Sequence, residues 1–177
     1  MKRFIAATLL GLALTGCNKK TNDDNSAAGT NFTSYQQWDI NGQRLGNVGD
    51  VSDEYRMEDW PDWVYNIFKP LDTANLTGYN WSEVVVDRLY PNPCGNTQFL
   101  RTFATQPINL KLALIDPSKK VYLLKSMELN SAQHDLQLNY TNLGMTTPSY
   151  YRLFYTFSAA GKPYFQRGHI DIYKTQQ

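Results

Sequence analysis

The chain has 177 residues, 42% hydrophobic and 19% charged, which is ordinary globular composition with room for one sizeable core and at most one small extra module. A formal net charge of +1 excludes a global field that would draw nucleic acid, so no nucleic-acid partner is expected. Aromatics reach 14%, with 12 tyrosines, which suits half-buried strands where the ring packs and the hydroxyl stays wet.

Residues 1–16 read as a signal peptide. Lys2 and Arg3 form a positive start, and Phe4 to Leu14 is an apolar run of 11 residues, too short to span a bilayer as a helix. Leu14-Thr15-Gly16-Cys17 follows and resembles the bacterial lipobox. The competing reading is an ordinary cleaved secretion signal with a chance cysteine; the position and all four residues favour the lipobox. The resemblance implies cleavage between Gly16 and Cys17 and acylation of the Cys17 thiol, with the lipid as the membrane partner. Each buried CH₂ contributes about 0.8 kcal/mol, so two or three acyl chains anchor a protein essentially permanently. Loss of Lys2 and Arg3 leaves 15 basic against 16 acidic side chains. With Cys17 lipidated, Cys94 has no intramolecular disulfide partner and is expected to be a packed, unreactive thiol.

Residues 17–34 are polar and small, and are expected to form a disordered tether. About 17 residues of flexible coil reach roughly 20–25 Å. Asn18 after the cysteine favours the outer membrane over the inner, with the periplasmic or surface face left open. A "KK…DD" run loosely resembles a surface-export signal of Bacteroidota lipoproteins, though a solvated linker explains it more simply.

Residues 35–80 form an aromatic-rich lead-in. Asn41-Gly42 is a tight-turn dipeptide and predicts a small hairpin. "EDWPDWVYNIFKP" predicts one short helix, capped by Asp59, with Pro61 in its first turn and Pro70 as its stop. Trp60, Val64, Ile67 and Phe68 share one face, more simply a docking stripe than a ligand box. Trp63 lies off that stripe and is the candidate contact for a partner protein or a glycan. Asp39 and Asn41 alternate as in a calcium loop, but the rest of the pattern is missing, so no metal is expected there. Asp72-Thr73-Ala74 resembles the O-glycosylation site of exported Bacteroidota proteins and makes Thr73 a candidate modification site.

Residues 81–177 alternate with a period of two in seven runs separated by turn signals such as "DPSKK" and "AAGKP". Seven short strands without intervening helices predict a mainly β chain, an antiparallel β-sandwich of about seven strands preceded by the small helical lead-in. Leu110, Leu112, Leu114, Leu136, Leu138, Leu153 and Tyr155 should share one core, because a one-residue slip would turn every side chain of a strand to the other face. His169 and Asp171 fall opposite Ile170 and Ile172, on a face expected to be exposed and polar. In "LYPNPCGN", two prolines remove two backbone donors, so that stretch is expected at a sheet edge, as the entrance to the sandwich.

"LYPNP", "LIDPSKKVYLLKSMEL", "HDLQLNYTNL" and "YYRLFYTFSAAGKPYFQRGHIDI" together resemble the Ig-like module at the C-termini of many Bacteroidota secreted proteins. That module is similar to type IX secretion sorting domains and to the Ig-like module of the flagellar hook-capping protein. The resemblance spans about residues 84–173 and implies an Ig-like sandwich opened by the "YPNP" segment. Ser118 stands where the family turn often has glycine, and "IYKTQQ" lacks the usual ending of a sorting signal.

Chemistry is sparse. His134 and His169 are far apart in sequence, with no zinc-ligand spacing. Neither a nucleophile elbow nor a P-loop occurs. Glu58, Asp59 and Asp62 sit beside aromatics, yet acids at a helix start are already favoured by its dipole. The expectation is a non-enzymatic, lipid-anchored binding or structural module of the cell envelope, without catalytic residues, cofactor or metal, meeting an envelope protein or a glycan. Two alternatives are an accessory of type IX secretion or gliding, and a small glycan-acting enzyme using Glu58, Asp59 and Asp62.

Overall fold

A computed structural model describes residues 32–56, 59–71, 84–159 and 162–176. Nine strands and one short helix occur among them: β1 Tyr35–Trp38, β2 Arg44–Val48, α1 Asp62–Phe68, β3 Val84–Tyr90, β4 Thr97–Ala104, β5 Ile108–Ile115, β6 Val121–Leu129, β7 Ala132–Asn139, β8 Ser149–Ala159 and β9 Lys162–Lys174. The count exceeds the expected seven because the predicted Asn41-Gly42 hairpin forms two strands of its own, β1 and β2. Asp39 closes that turn by accepting from the amides of Asn41 (2.9 Å) and Gln43 (2.7 Å), and Gly42 takes the left-handed backbone the turn needs (φ 75°).

The other seven strands form an antiparallel sandwich of a three-stranded sheet, β3-β4-β7, and a four-stranded sheet, β6-β5-β8-β9. In immunoglobulin lettering these are A-B-E and C′-C-F-G, the layering of an Ig-like sandwich. Tyr151, near the start of β8, donates its hydroxyl to the Thr146 carbonyl (2.8 Å), the tyrosine corner of such folds. Leu110, Leu112, Leu114, Leu138, Leu153 and Tyr155 are buried in one core, and Leu136 packs at its margin, as the alternation predicts. The "DPSKK" turn is built by Asp116, whose carboxylate accepts from the amides of Ser118 (2.8 Å) and Lys120 (3.0 Å) and from the Tyr122 hydroxyl (3.0 Å).

A second apolar cluster lies on the outer face of the four-stranded sheet. Phe32, Trp60, Val64 and Phe68 from the N-terminal part pack there on Ala113, Ile115 and Phe154. Trp60 stacks on Phe68 (5.2 Å) and meets Phe154 edge-on (5.5 Å). The predicted docking stripe of α1 is therefore this contact, with Ile67 at its rim. Asp59 does not cap α1: the N-cap is Pro61, without a side-chain hydrogen bond, and Asp59 pairs with Arg167 of β9 instead.

"LYPNPCGN" lies at a sheet edge as expected, but inside the sandwich and not at its entrance, because β3 precedes it. Asn92 is buried and exchanges backbone hydrogen bonds with Trp38 of β1 (2.9 and 3.0 Å). Its side chain donates to the Asp171 carbonyl (2.9 Å) and accepts from the Tyr173 amide (3.1 Å). Cys94 then donates its amide to the Tyr173 carbonyl (3.0 Å) and accepts from the Thr175 amide (2.8 Å). These bonds cover the free edge of β9, a row of backbone groups that would otherwise invite pairing with another chain.

Candidate functional site

Two places gather polar chemistry. The first is the outer face of the four-stranded sheet, where β8 and β9 alternate so that Arg152 lies opposite Asp171 and Phe154 opposite His169. The sequence pattern alone marks this face as exposed. It is buried instead, because residues 32–56 and 59–71 fold back over it: His169 and Asp171 are 0% exposed. Arg152 donates twice to Asp171 (2.6 and 2.8 Å), and its guanidinium lies 4.5 Å from the Phe32 ring. His169 Nε2 is 3.6 Å from an Asp53 carboxylate oxygen. Burial pushes the Asp171 carboxyl up, against the pull of Arg152. Glu54 is buried in the same layer; loss of water, then the Asp171 charge, push its carboxyl up to about 8.

The covering chain crosses β9 at Gly168. A Cβ there would stand 2.4 Å from the Arg56 carbonyl and 2.5 Å from the Tyr155 hydroxyl, so only glycine admits the crossing. One residue earlier the Tyr55 amide donates to the His169 carbonyl (3.0 Å), and the Tyr55 hydroxyl accepts from the Leu89 amide (3.1 Å). Arg152 and Asp171 are bound to one another, and Arg167 is held between Asp59 and the Tyr65 ring (5.7 Å). This layer is an electrostatic seam inside the fold. His169 and Asp171 sit two apart on one strand face as expected, but Arg152 takes both oxygens of Asp171. Among the described residues no group of three or more His, Cys, Asp or Glu side chains is placed to hold a metal ion.

Gly16, Cys17, Glu58 and Thr73 lie outside the described residues. Asp59 pairs with Arg167, and Asp62 sits in the first turn of α1. Trp63 is half-buried: its ring meets Phe154 edge-on (5.9 Å) and carries the Lys119 ammonium 4.8 Å from its centre. His134 is half-exposed, with its Nε2 2.8 Å from the Asn130 carbonyl.

The second place is a cleft of about 530 Å³ at one end of the sandwich. It lies where the start of β4, the connection from β7 to β8 and the end of β9 meet, and Asn96, Asn142, Met145, Lys174 and Gln176 contribute to its wall. Beneath it, buried Tyr140 donates its hydroxyl to Gln98 (2.7 Å), which donates in turn to the Pro91 carbonyl (2.7 Å). Lys174 is only 4% exposed and donates to the Asn96 side-chain oxygen (3.0 Å). Cys94 is 1% exposed next to it, and burial pushes its thiol up to about 12 despite the lysine. Sequence reasoning missed this cleft, since its wall comes from three segments far apart in the chain and no motif joins them. The one available signal was Lys174, which extends the core-facing row of Ile170 and Ile172 with a charged residue.

No protein-family profile and no curated protein matches the chain. Among solved structures, a Bacteroides fragilis protein described as a candidate β-galactosidase matches at 12% identity over 49% of this chain and 15% of its own, with a TM-score of 0.26. A β-glucuronidase of Parabacteroides merdae matches at 11% identity over 77% of this chain and 23% of its own, with a TM-score of 0.33. The chain thus spans less than a quarter of the length of either.

Proposed function

We propose that this chain is a non-enzymatic, lipid-anchored binding or structural module of the bacterial cell envelope. The observation that carries the reading is Leu14-Thr15-Gly16-Cys17, which begins on the last residue of an 11-residue apolar run and stands ahead of a polar stretch that leads into β1. Acylation of Cys17 supplies an anchor that needs no spanning helix.

Expression of the full chain in a bacterium with a clickable fatty acid tests the anchor. The wild type takes up label and fractionates with membranes, whereas Cys17→Ser takes up none and appears in the soluble fraction. Equal labelling of both proteins, or a soluble wild type, overturns the anchor.

A further inference from the structure

We propose that the cleft at the end of the sandwich binds a small hydroxylated carboxylate, the chemistry of an acidic monosaccharide unit, with the Lys174 ammonium as its counter-charge. The inference rests on the reading of the chain as a binding module, not on its lipid anchor.

The first observation is a buried cation without a counter-ion. Lys174 occupies the core-facing row of β9, opposite Ser149, one step beyond the pairs Ile170 with Leu153 and Ile172 with Tyr151. Its stem is therefore packed, the residue is 4% exposed, and its ammonium comes out at the cleft. Lysines buried to this degree are ordinarily paired with an acid. Among the described residues the hydrogen bond of Lys174 goes to a neutral amide, Asn96, at 3.0 Å, and no carboxylate stands within ion-pair distance. The neighbouring Cys94 thiol stays protonated in its buried position and supplies no negative charge. An ammonium carries three donors, so two remain for a ligand.

The second observation is the rest of the wall. Asn96, Asn142 and Gln176 line the cleft, and their side chains carry amides, which donate and accept, as hydroxyl groups also do. Asn142 sits in the turn after β7 with its backbone in the left-handed region (φ 68°), which asparagine tolerates. Met145 supplies an adaptable apolar wall for the carbon skeleton. Among the described residues no Asp or Glu lines the cleft, and Lys174 attracts a carboxylate there. A volume of about 530 Å³ falls in the range of small-molecule sites.

The test is a titration of the full chain, followed by backbone and side-chain amide resonances, with galacturonate, galactose and acetate as probes. Galacturonate should shift Asn96, Asn142 and Lys174 saturably, at least about tenfold more tightly than galactose, which has the hydroxyls without the charge, or acetate, which has the charge without the hydroxyls. Lys174→Met keeps the packed stem and should weaken galacturonate binding about tenfold or more, while Lys174→Arg keeps part of it. Asn142→Ala, outside the strands, gives a second readout if Lys174→Met does not fold. No saturable shift, or acetate binding as tightly as galacturonate, overturns the proposal, as does full affinity in either Lys174→Met or Asn142→Ala. Fatty-acid labelling at Cys17 is independent of these outcomes, so failure of the cleft and failure of the anchor are told apart.

Discussion

Glu54 is the residue on which the pH response of the fold turns. The residue is 3% exposed, and burial pushes its carboxyl up to about 8, against 4.5 for the free group. The folded chain therefore keeps a proton that the unfolded chain has released over this range. The penalty is nil below about pH 4.5, grows as pH rises to about 8, and then levels off, reaching on the order of 5 kcal/mol. Glu54→Gln removes a titration and keeps the shape. Its melting temperature should match the wild type near pH 4.5 and exceed it by roughly 10 °C at pH 8. A constant difference across that range would show that Glu54 ionises freely in the fold. Cys94 is the opposite case, an inert group: with the thiol pushed up to about 12 and 1% exposed, little thiolate forms near neutrality. A maleimide should react slowly with the native chain at pH 7 and completely after denaturation; rapid native labelling would show an open, reactive thiol.

At the scale of elements, the link between the N-terminal segment and β8–β9 decides stability. Tyr35 stacks on Tyr173 (5.6 Å), Trp60 packs on Phe154, and between them Arg152 and Asp171 are sealed in. Breaking a buried ion pair from one side leaves an uncompensated charge and typically costs 3–5 kcal/mol. Asp171→Asn should therefore lower stability at pH 5 by about 3 kcal/mol or more in a denaturant titration. The loss should shrink at pH 8. Burial is the main cause that holds the Glu54 carboxyl up and the Asp171 charge the second, so removal of that charge lets more Glu54 ionise at pH 8 and act as the counter-ion of Arg152. An equal loss at both pH values would show that Glu54 and Arg152 are not coupled.

For the whole molecule, the sequence by itself determined the fold class, the main core and the identity of the short helix. Those follow from local rules: a period of two writes the inner face of each strand into the chain, and Leu110, Leu112, Leu114 and Leu153 are readable because hydrophobic burial acts on each strand in the same way. The Asn41-Gly42 and Asp116 turns are readable because their chemistry is local to a few residues. The tertiary structure alone decided the rest. His169 and Asp171 look exposed in sequence because alternation reports only that a face is polar. It does not report whether another segment covers that face, and here residues 32–56 and 59–71 do so, with Glu54, Asp59 and aromatic rings set against Arg152, Arg167 and Phe154 of the sheet. Asp59 looks like a helix cap because caps are local, whereas its partner, Arg167, lies 108 residues away. The same holds for Lys174 and Asn96, 78 residues apart, whose meeting at the end of the sandwich forms a cleft that no stretch of sequence contains.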